Sequence, residues 1–172
     1  ASTRTLAAFS GTWSDTGSLD TGPSGLEAVY VAVEHVAGPQ AAANRWWDWT
    51  AGNFGLTSPP PSTVPDAGWA FVSSRPVADN QSSLTWSTPV PAGMMASSNT
   101  YRVVTLVLDH ASNKQPNPTG AGVGAAFRFD NEAPLPGITF PAANGNYNGT
   151  ALVNIAGIAG DGSTGASGVA QV

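Results

Sequence analysis

The residue types that carry most enzyme chemistry are sparse in this chain of 172 residues. Cysteine is absent, which excludes disulfides and thiolate metal sites, and the histidines are His35 and His110. Neither lies in an H-E-x-x-H motif, and the chain has no G-x-S-x-G turn and no phosphate-binding loop. The glycine-rich stretch at residues 160–168, GDGSTGASG, lacks the lysine of such a loop. We therefore expect no catalytic activity, and we expect each histidine to be exposed at a strand end.

A tryptophan cluster at residues 45–49, RWWDW, is a candidate ligand site. Indole faces could stack on a sugar ring while Arg45 and Asp48 bond its hydroxyls. Alternatively, Trp46, Trp47 and Trp49 fill the core or an interface, where each indole buries about 200 Å². Because successive strand side chains point to opposite faces, at least one of Trp46 and Trp47 must contact a loop, a neighbour or solvent. Both a glycan site and core packing remain open.

Acidic side chains offer a second candidate site, for calcium, which is the one cofactor left open. Asp109, Asp130, Glu132 and Asp161 are hard oxygen donors, and an ion held between modules would stiffen an array. Their spacing does not match an EF-hand, and Asp and Asn also stabilise turns through local hydrogen bonds. In the D-x-A-x-N run at 109–113 we favour a hairpin turn over a cation.

Composition restricts the partners. The net charge is −5 and only 10% of residues are charged, so no basic face is available for nucleic acid. No apolar run approaches the length of a membrane span, so no membrane insertion is expected. Two N-x-S/T triplets, at Asn80 and Asn148, leave glycosylation open.

For the segments that carry these residues, the sequence predicts short strands separated by Gly- and Pro-rich turns. In residues 101–108 both alternating faces are apolar, which predicts a central strand covered by a second sheet on one side and by loops or a neighbour on the other. The Ala-rich residues 40–47 could form one or two helical turns. Together these patterns predict an antiparallel β-sandwich. The predicted strands are 5–13, 26–36, 69–74, 83–88, 100–109, 123–130, 136–140 and 150–158.

One sequence pattern occurs twice, at residues 6–29 and 152–172. Gly11 corresponds to Gly157, and Ser-Gly-Leu at 24–26 corresponds to Ser-Gly-Val at 167–169. Self-similarity at a long period indicates an array of alike modules.

These motifs, in this order, resemble the tandem immunoglobulin-like modules of large bacterial surface proteins. The resemblance covers a D-x-x-A-P type link at 130–134, a Gly and Asp leading to Ser-Gly-apolar in both copies, the tryptophan-rich middle, and a Tyr strand that closes on the D-x-A-x-N turn. It implies one Ig-like sandwich over residues 1–133. The sequence departs from the family in a longer Trp- and Pro-rich insertion at about 45–83, where we expect an elaborated loop or an extra hairpin. The resemblance also implies a partial second module over residues 134–172.

The functional hypothesis follows from which strands each copy of the repeat contains. The first copy lacks the strand that residues 136–140 supply to the second, and the second stops before it could close a sandwich, so we expect pairing with another copy or an adjacent repeat. This describes a structural module of a secreted or cell-surface protein, a stalk or filament subunit assembled head-to-tail. A piece cut from a longer array explains the overlap equally well, and a glycan-binding adhesin module or an accessory domain of a secreted enzyme are the alternatives. The expected interface residues are Ile138, Phe140, Leu152, Val153, Ile155 and Val169.

Overall fold

The computed structural model of the chain describes residues 6–14, 25–40, 43–74, 83–114, 118–120 and 122–160. These residues form ten strands that pair only antiparallel, and no helix, so the predicted all-β antiparallel fold is confirmed. Within these ranges nothing has the length and apolarity of a membrane-crossing helix. The strands are β1 (Ala8–Ser14), β2 (Leu26–Ala37), β3 (Arg45–Asp48), β4 (Asn53–Leu56), β5 (Ala70–Ser74), β6 (Ser83–Pro89), β7 (Asn99–Asp109), β8 (Ala125–Phe129), β9 (Leu135–Phe140) and β10 (Ala156–Gly160).

The described residues divide into two compact units. The larger unit, Leu6–Phe129, holds β1 to β8, and the smaller unit, which starts at Asp130, holds β9 and β10. Whether these units correspond to a complete and a partial Ig-like module, as the sequence predicts for residues 1–133 and 134–172, stays a prediction.

A six-stranded sheet forms the larger part of the larger unit. Its order is β4-β3-β2-β7-β8, and β5 also pairs with β2. One edge of β2 pairs with β7, and its other edge is shared by β3 near residues 34–35 and β5 near residues 28–31. The long, valine-rich β2 is therefore hydrogen-bonded on both sides, as expected for a strand that lies inside a sheet.

One face of this sheet packs against the two-stranded sheet formed by β1 and β6. Phe9 of β1 and Trp86 of β6 are buried in one cluster with Val29, Val31 and Val33 of β2. On β7, Val103 and Val107 pack against the same cluster. Two sheets facing each other across an apolar layer give the larger unit the sandwich-like architecture that the strand pattern predicts.

The opposite face of the six-stranded sheet is covered by the Pro-rich chain between β4 and β5. Trp46, Val104 and Leu106 are buried there together with Trp69, and Val64 packs against them. The indole Nε1 of Trp69 donates a hydrogen bond to the carbonyl of Pro61, 2.6 Å away. The predicted central strand at residues 101–108 is thus confirmed, with a sheet on one side and a loop on the other.

Two local predictions need correction. The helical turns over residues 40–47 are wrong where the chain is described, because Arg45–Asp48 is strand β3, which forms an antiparallel hairpin with β4. Pairing with β2 overrides the weak helix preference of the Ala run. The strand predicted at 150–158 begins only at Ala156, because Asn148 Oδ1 accepts hydrogen bonds from the amides of Thr150 and Ala151 and fixes a turn there.

The smaller unit is built on the β9–β10 pair. Ile138 lies opposite Gly157 and Ile158 lies opposite Gly137, with a register shift between Ala156 and Gly157. Because directly opposite residues share a face, the two isoleucines point to opposite faces of the pair.

Candidate functional site

His35 is completely buried on β2, which corrects the expectation of an exposed strand-end histidine. Its ring lies among aromatic neighbours, with centroids 5.3 Å from Tyr101 and 5.6 Å from Phe54. The signal was available in the sequence, because His35 continues the inward-facing alternation of Val31 and Val33.

The hydrogen bonds of His35 define a structural role. The side-chain Nδ2 of Asn99 donates to the carbonyls of Ala96 and Ser97, so its Oδ1 is an acceptor. His35 Nε2 lies 3.0 Å from that Oδ1 and 3.1 Å from the carbonyl of Ala37, and therefore carries the hydrogen that it donates. A buried imidazole that joins the ends of β2 and β7 in this way is not placed to exchange protons with a substrate.

Tyr101 completes this buried polar group. Its hydroxyl accepts a hydrogen bond from the amide of Ala96 at 2.9 Å and donates to Gln40 Oε1 at 3.2 Å. Burial raises the pKa of the Tyr101 phenol above its ordinary value, and the backbone hydrogen bond with Ala96 opposes part of that rise. The phenol stays neutral and stabilises the loop that precedes β7.

His110 lies at the turn after β7 and is half-buried. Its backbone amide donates to the carbonyl of Gly25, and its Nε2 has no hydrogen-bond partner within the described part of the chain. His35 and His110 stand at opposite ends of the β2–β7 pairing, near Tyr101 and Asp109 respectively. The structure therefore does not bring the two histidines into one site.

The tryptophan cluster is buried and forms no exposed platform for a sugar. Trp46 is 2% exposed and lies under the Pro-rich loop, whereas Trp47 is 5% exposed and lies between the sheets. Trp49 is half-buried against the same inner cluster as Trp47. The alternation expected for a strand is present, and the packing alternative accounts for these side chains.

An ion pair covers Trp46 on the loop side of the sheet. Arg102 Nε and Nη2 each lie 2.7 Å from Glu34 Oε2, and the Arg102 guanidinium carbon lies 5.4 Å from the centre of the Trp46 ring. Arg102 Nη1 also donates to the carbonyl of Gly120 at 2.9 Å. These contacts engage the guanidinium in holding Gly120, in the chain between β7 and β8, onto the sheet.

The acidic calcium candidates act as turn residues where the structure describes them. Asp109 Oδ1 accepts hydrogen bonds from the amides of Ala111 and Asn113, and its Oδ2 accepts one from Asn113 Nδ2. Asp130 Oδ1 accepts the amide of Glu132. Across the described ranges no three metal-ligating His, Asp or Glu side chains lie together. Asp161 lies outside the described residues, as do Val169 and Asn80, whereas Asn148 is exposed in its turn.

The smaller unit exposes most of the apolar side chains that the sequence assigns to an interface. Ile138 is 75% exposed, Val153 is 80% exposed and Ile155 is 78% exposed. Leu152 is also exposed, whereas Phe140 is half-buried with its ring centroid 5.2 Å from that of Tyr147. Two positions that the sequence analysis did not select, Leu135 and Ile158, are exposed as well. Contiguous exposed apolar patches are typical of interaction sites.

A groove in the larger unit opens between β1 and β8. It encloses about 420 Å³ and no charged side chain lines it. Sequence analysis missed this groove, because its walls come from opposite ends of the unit's sequence and no local pattern relates them. Its main lining residues are Leu6, Phe9, Trp86, Val103, Ala125 and Phe127.

Comparison with protein-family models, with curated sequences and with solved structures gives no significant match.

Proposed function

We propose that this chain is a structural module of a secreted or cell-surface protein, and that it joins neighbouring copies or repeats head-to-tail through β-strand pairing. The observation that carries the proposal is the exposed apolar surface of the β9–β10 unit, which includes Ile138 and Ile158 on opposite faces. A two-stranded sheet is marginally stable in water and needs further strands or a packed layer. Association with another copy supplies both.

The energetic reason for association is hydrophobic. Leu135, Ile138, Val153, Ile155 and Ile158 are each at least 66% exposed. Complete burial of one such side chain is worth about 1.5–3 kcal/mol, so covering several of them can offset the entropy lost when two chains associate.

Strand edges in the smaller unit lack the charged side chains that commonly prevent pairing. Residues 133–160 contain no Asp, Glu, Lys, Arg or His. Soluble proteins commonly place charged residues, lysine above all, on edge strands to prevent edge-to-edge association. Their absence along β9 and β10 favours strand addition.

The proposal is tested with the purified 172-residue chain. We expect the average mass in sedimentation velocity to rise with protein concentration, and electron microscopy to show elongated assemblies with a regular repeat. A monodisperse monomer over the whole concentration range would overturn the proposal.

A matched pair of variants locates the contact. Ile138→Asp places a charge on the exposed face of β9, and we expect it to weaken association by at least about tenfold, which is about 1.4 kcal/mol. Phe71→Asp is the control, because Phe71 is 57% exposed on β5 of the larger unit and should leave association unchanged. Circular dichroism verifies that both variants keep their strands. Equal loss of association in both variants would contradict the assignment to the smaller unit.

A further inference from the structure

Strand β1 has one edge that no described strand pairs with. Its other edge pairs with β6 over seven residue pairs, from Ala8 opposite Pro89 to Ser14 opposite Ser83. The sheet that faces β1 and β6 has six strands and extends farther, so the groove between β1 and β8 is open. The sandwich is therefore incomplete at the position where one more strand would lie beside β1.

The sequence repeat indicates which strand fits there. Gly11 of β1 corresponds to Gly157 of β10, so β10 is the β1 of the second copy. In the smaller unit, β10 pairs antiparallel with β9. The chain thus contains a strand, Leu135–Phe140, that pairs with a β1-like partner, and a β1 with one edge that no described strand pairs with.

We propose that β9 of a second copy of this chain pairs antiparallel with the open edge of β1 and fills the groove between β1 and β8. Carried over from the β9–β10 register, Ile138 lies opposite Gly11 and Leu135 lies opposite Ser14. The proposal rests on the proposed head-to-tail function and names the acceptor site for it.

The side chains of β9 are compatible with those that line the groove beside β1. Gly11 has no side chain and Trp86 packs over it, since a Cβ built on Gly11 would lie 2.7 Å from the indole Cζ2. Opposite Gly11, the side chain of Ile138 meets this indole in the groove. Pro136 shares the face of Ile138 because strand side chains alternate, and neither residue carries a charge. Burial of Ile138 removes part of the exposure that the free smaller unit shows.

Separation of β9 from β10 costs little free energy. The two-stranded β9–β10 sheet is marginal by itself, and the same backbone hydrogen bonds form again with β1. The gain is burial in a preformed apolar groove between two sheets, which β10 does not offer. Each copy donates one strand and accepts one at a different surface, which is the heterologous contact that forms an open fibre.

Two adjacent alanines on β8 test the groove. Ala125 lines the groove, and Ala126 points to the opposite face of β8; both are exposed. We expect Ala125→Trp to fill the groove and to weaken self-association by at least about tenfold, whereas Ala126→Trp leaves it unchanged. Self-association of Ala125→Trp at the wild-type level would overturn this inference while leaving the proposed function standing, and a wild-type chain that never associates would overturn both.

Disulfide trapping tests the register and does not depend on the alanine variants. The chain has no cysteine, so Ser14→Cys and Leu135→Cys can be introduced in separate preparations and mixed. We expect oxidation to join them, because directly opposite residues place their Cβ atoms within reach of a disulfide. Thr12→Cys mixed with Leu135→Cys is the control, since that pair is diagonal, with about 7–8 Å between the residues. Equal trapping in both mixtures, or trapping in neither, would contradict the proposed register.

Discussion

The β1–β6 sheet and the β9–β10 sheet each contain one copy of a repeated strand, but their surroundings differ. Both are two-stranded and antiparallel, and β10 corresponds to β1 in the repeat. In the first sheet Phe9 is 7% exposed and Trp86 is 8% exposed, because the six-stranded sheet covers them. In the second sheet Ile138 is 75% exposed and Ile158 is 66% exposed. A strand pattern alone therefore does not bury a side chain; a facing layer does.

Removing one large apolar side chain from each sheet should give the largest difference between the two sheets. We expect Trp86→Ala to lower the free energy of unfolding of the larger unit by about 3–5 kcal/mol, because it leaves a cavity between the sheets. Ile138→Ala should change it by less than about 0.5 kcal/mol in the monomer, since an exposed side chain leaves no cavity. Urea unfolding followed by tryptophan fluorescence measures this unit selectively, because all six tryptophans lie within Leu6–Phe129. Similar losses in the two variants would break the comparison.

A smaller effect is expected from adding one methyl group to each sheet. Gly11→Ala places a Cβ against the Trp86 indole, and overpacking of this kind costs about 1–3 kcal/mol. Gly160→Ala on β10 is the matched control, because the nearest atom to its Cβ, the carbonyl oxygen of Leu135, is 4.0 Å away. The same fluorescence-detected urea titration applies. If Gly11→Ala were as stable as the control, the close packing between β1 and Trp86 would be refuted.

The smallest predicted effect concerns alkaline pH and the buried phenol of the larger unit. The pKa of Tyr101 is raised in the folded chain, so the unfolded chain loses its proton first as pH increases. The contribution of Tyr101 is therefore complete below the ordinary pKa of 10.0 and is lost as pH rises through the folded-state pKa. Unfolding titrations at pH 8 and pH 11 should show a larger decrease for the wild type than for Tyr101→Phe. A decrease of equal size would exclude Tyr101 as its source.

Most strands of the larger unit follow from sequence because their patterns are local. The alternation in residues 101–108 identified both faces of β7, and residues 26–36 and 83–88 identified β2 and β6. Residues 45–48 and 53–56 were not identified as strands, because each run is four residues long and is held by pairing with β2 or with its neighbour. Runs of four residues show too little alternation to be recognised as strands without their pairing partners.

The candidate functional residues also divide into those that the sequence predicts and those that only the structure places. Ile138, Val153 and Ile155, which the sequence predicts for an interface, are exposed in the structure. The buried position of His35 was not predicted from the sequence, although its alternation with Val31 and Val33 was visible. Trp46 and Trp47 were correctly assigned to opposite faces, but only the path of the Pro-rich loop determines that both are buried.

By itself the sequence determined an antiparallel all-β fold, a repeat in which β10 corresponds to β1, and an uncharged stretch at residues 133–160. These properties follow from alternation, turn residues and composition, all of which act between near neighbours in the chain. Only the tertiary structure decided which side chains are covered and where the sandwich stays open. The groove between β1 and β8 and the buried His35–Asn99 contact join residues far apart in sequence, and their proximity depends on how the sheets pack.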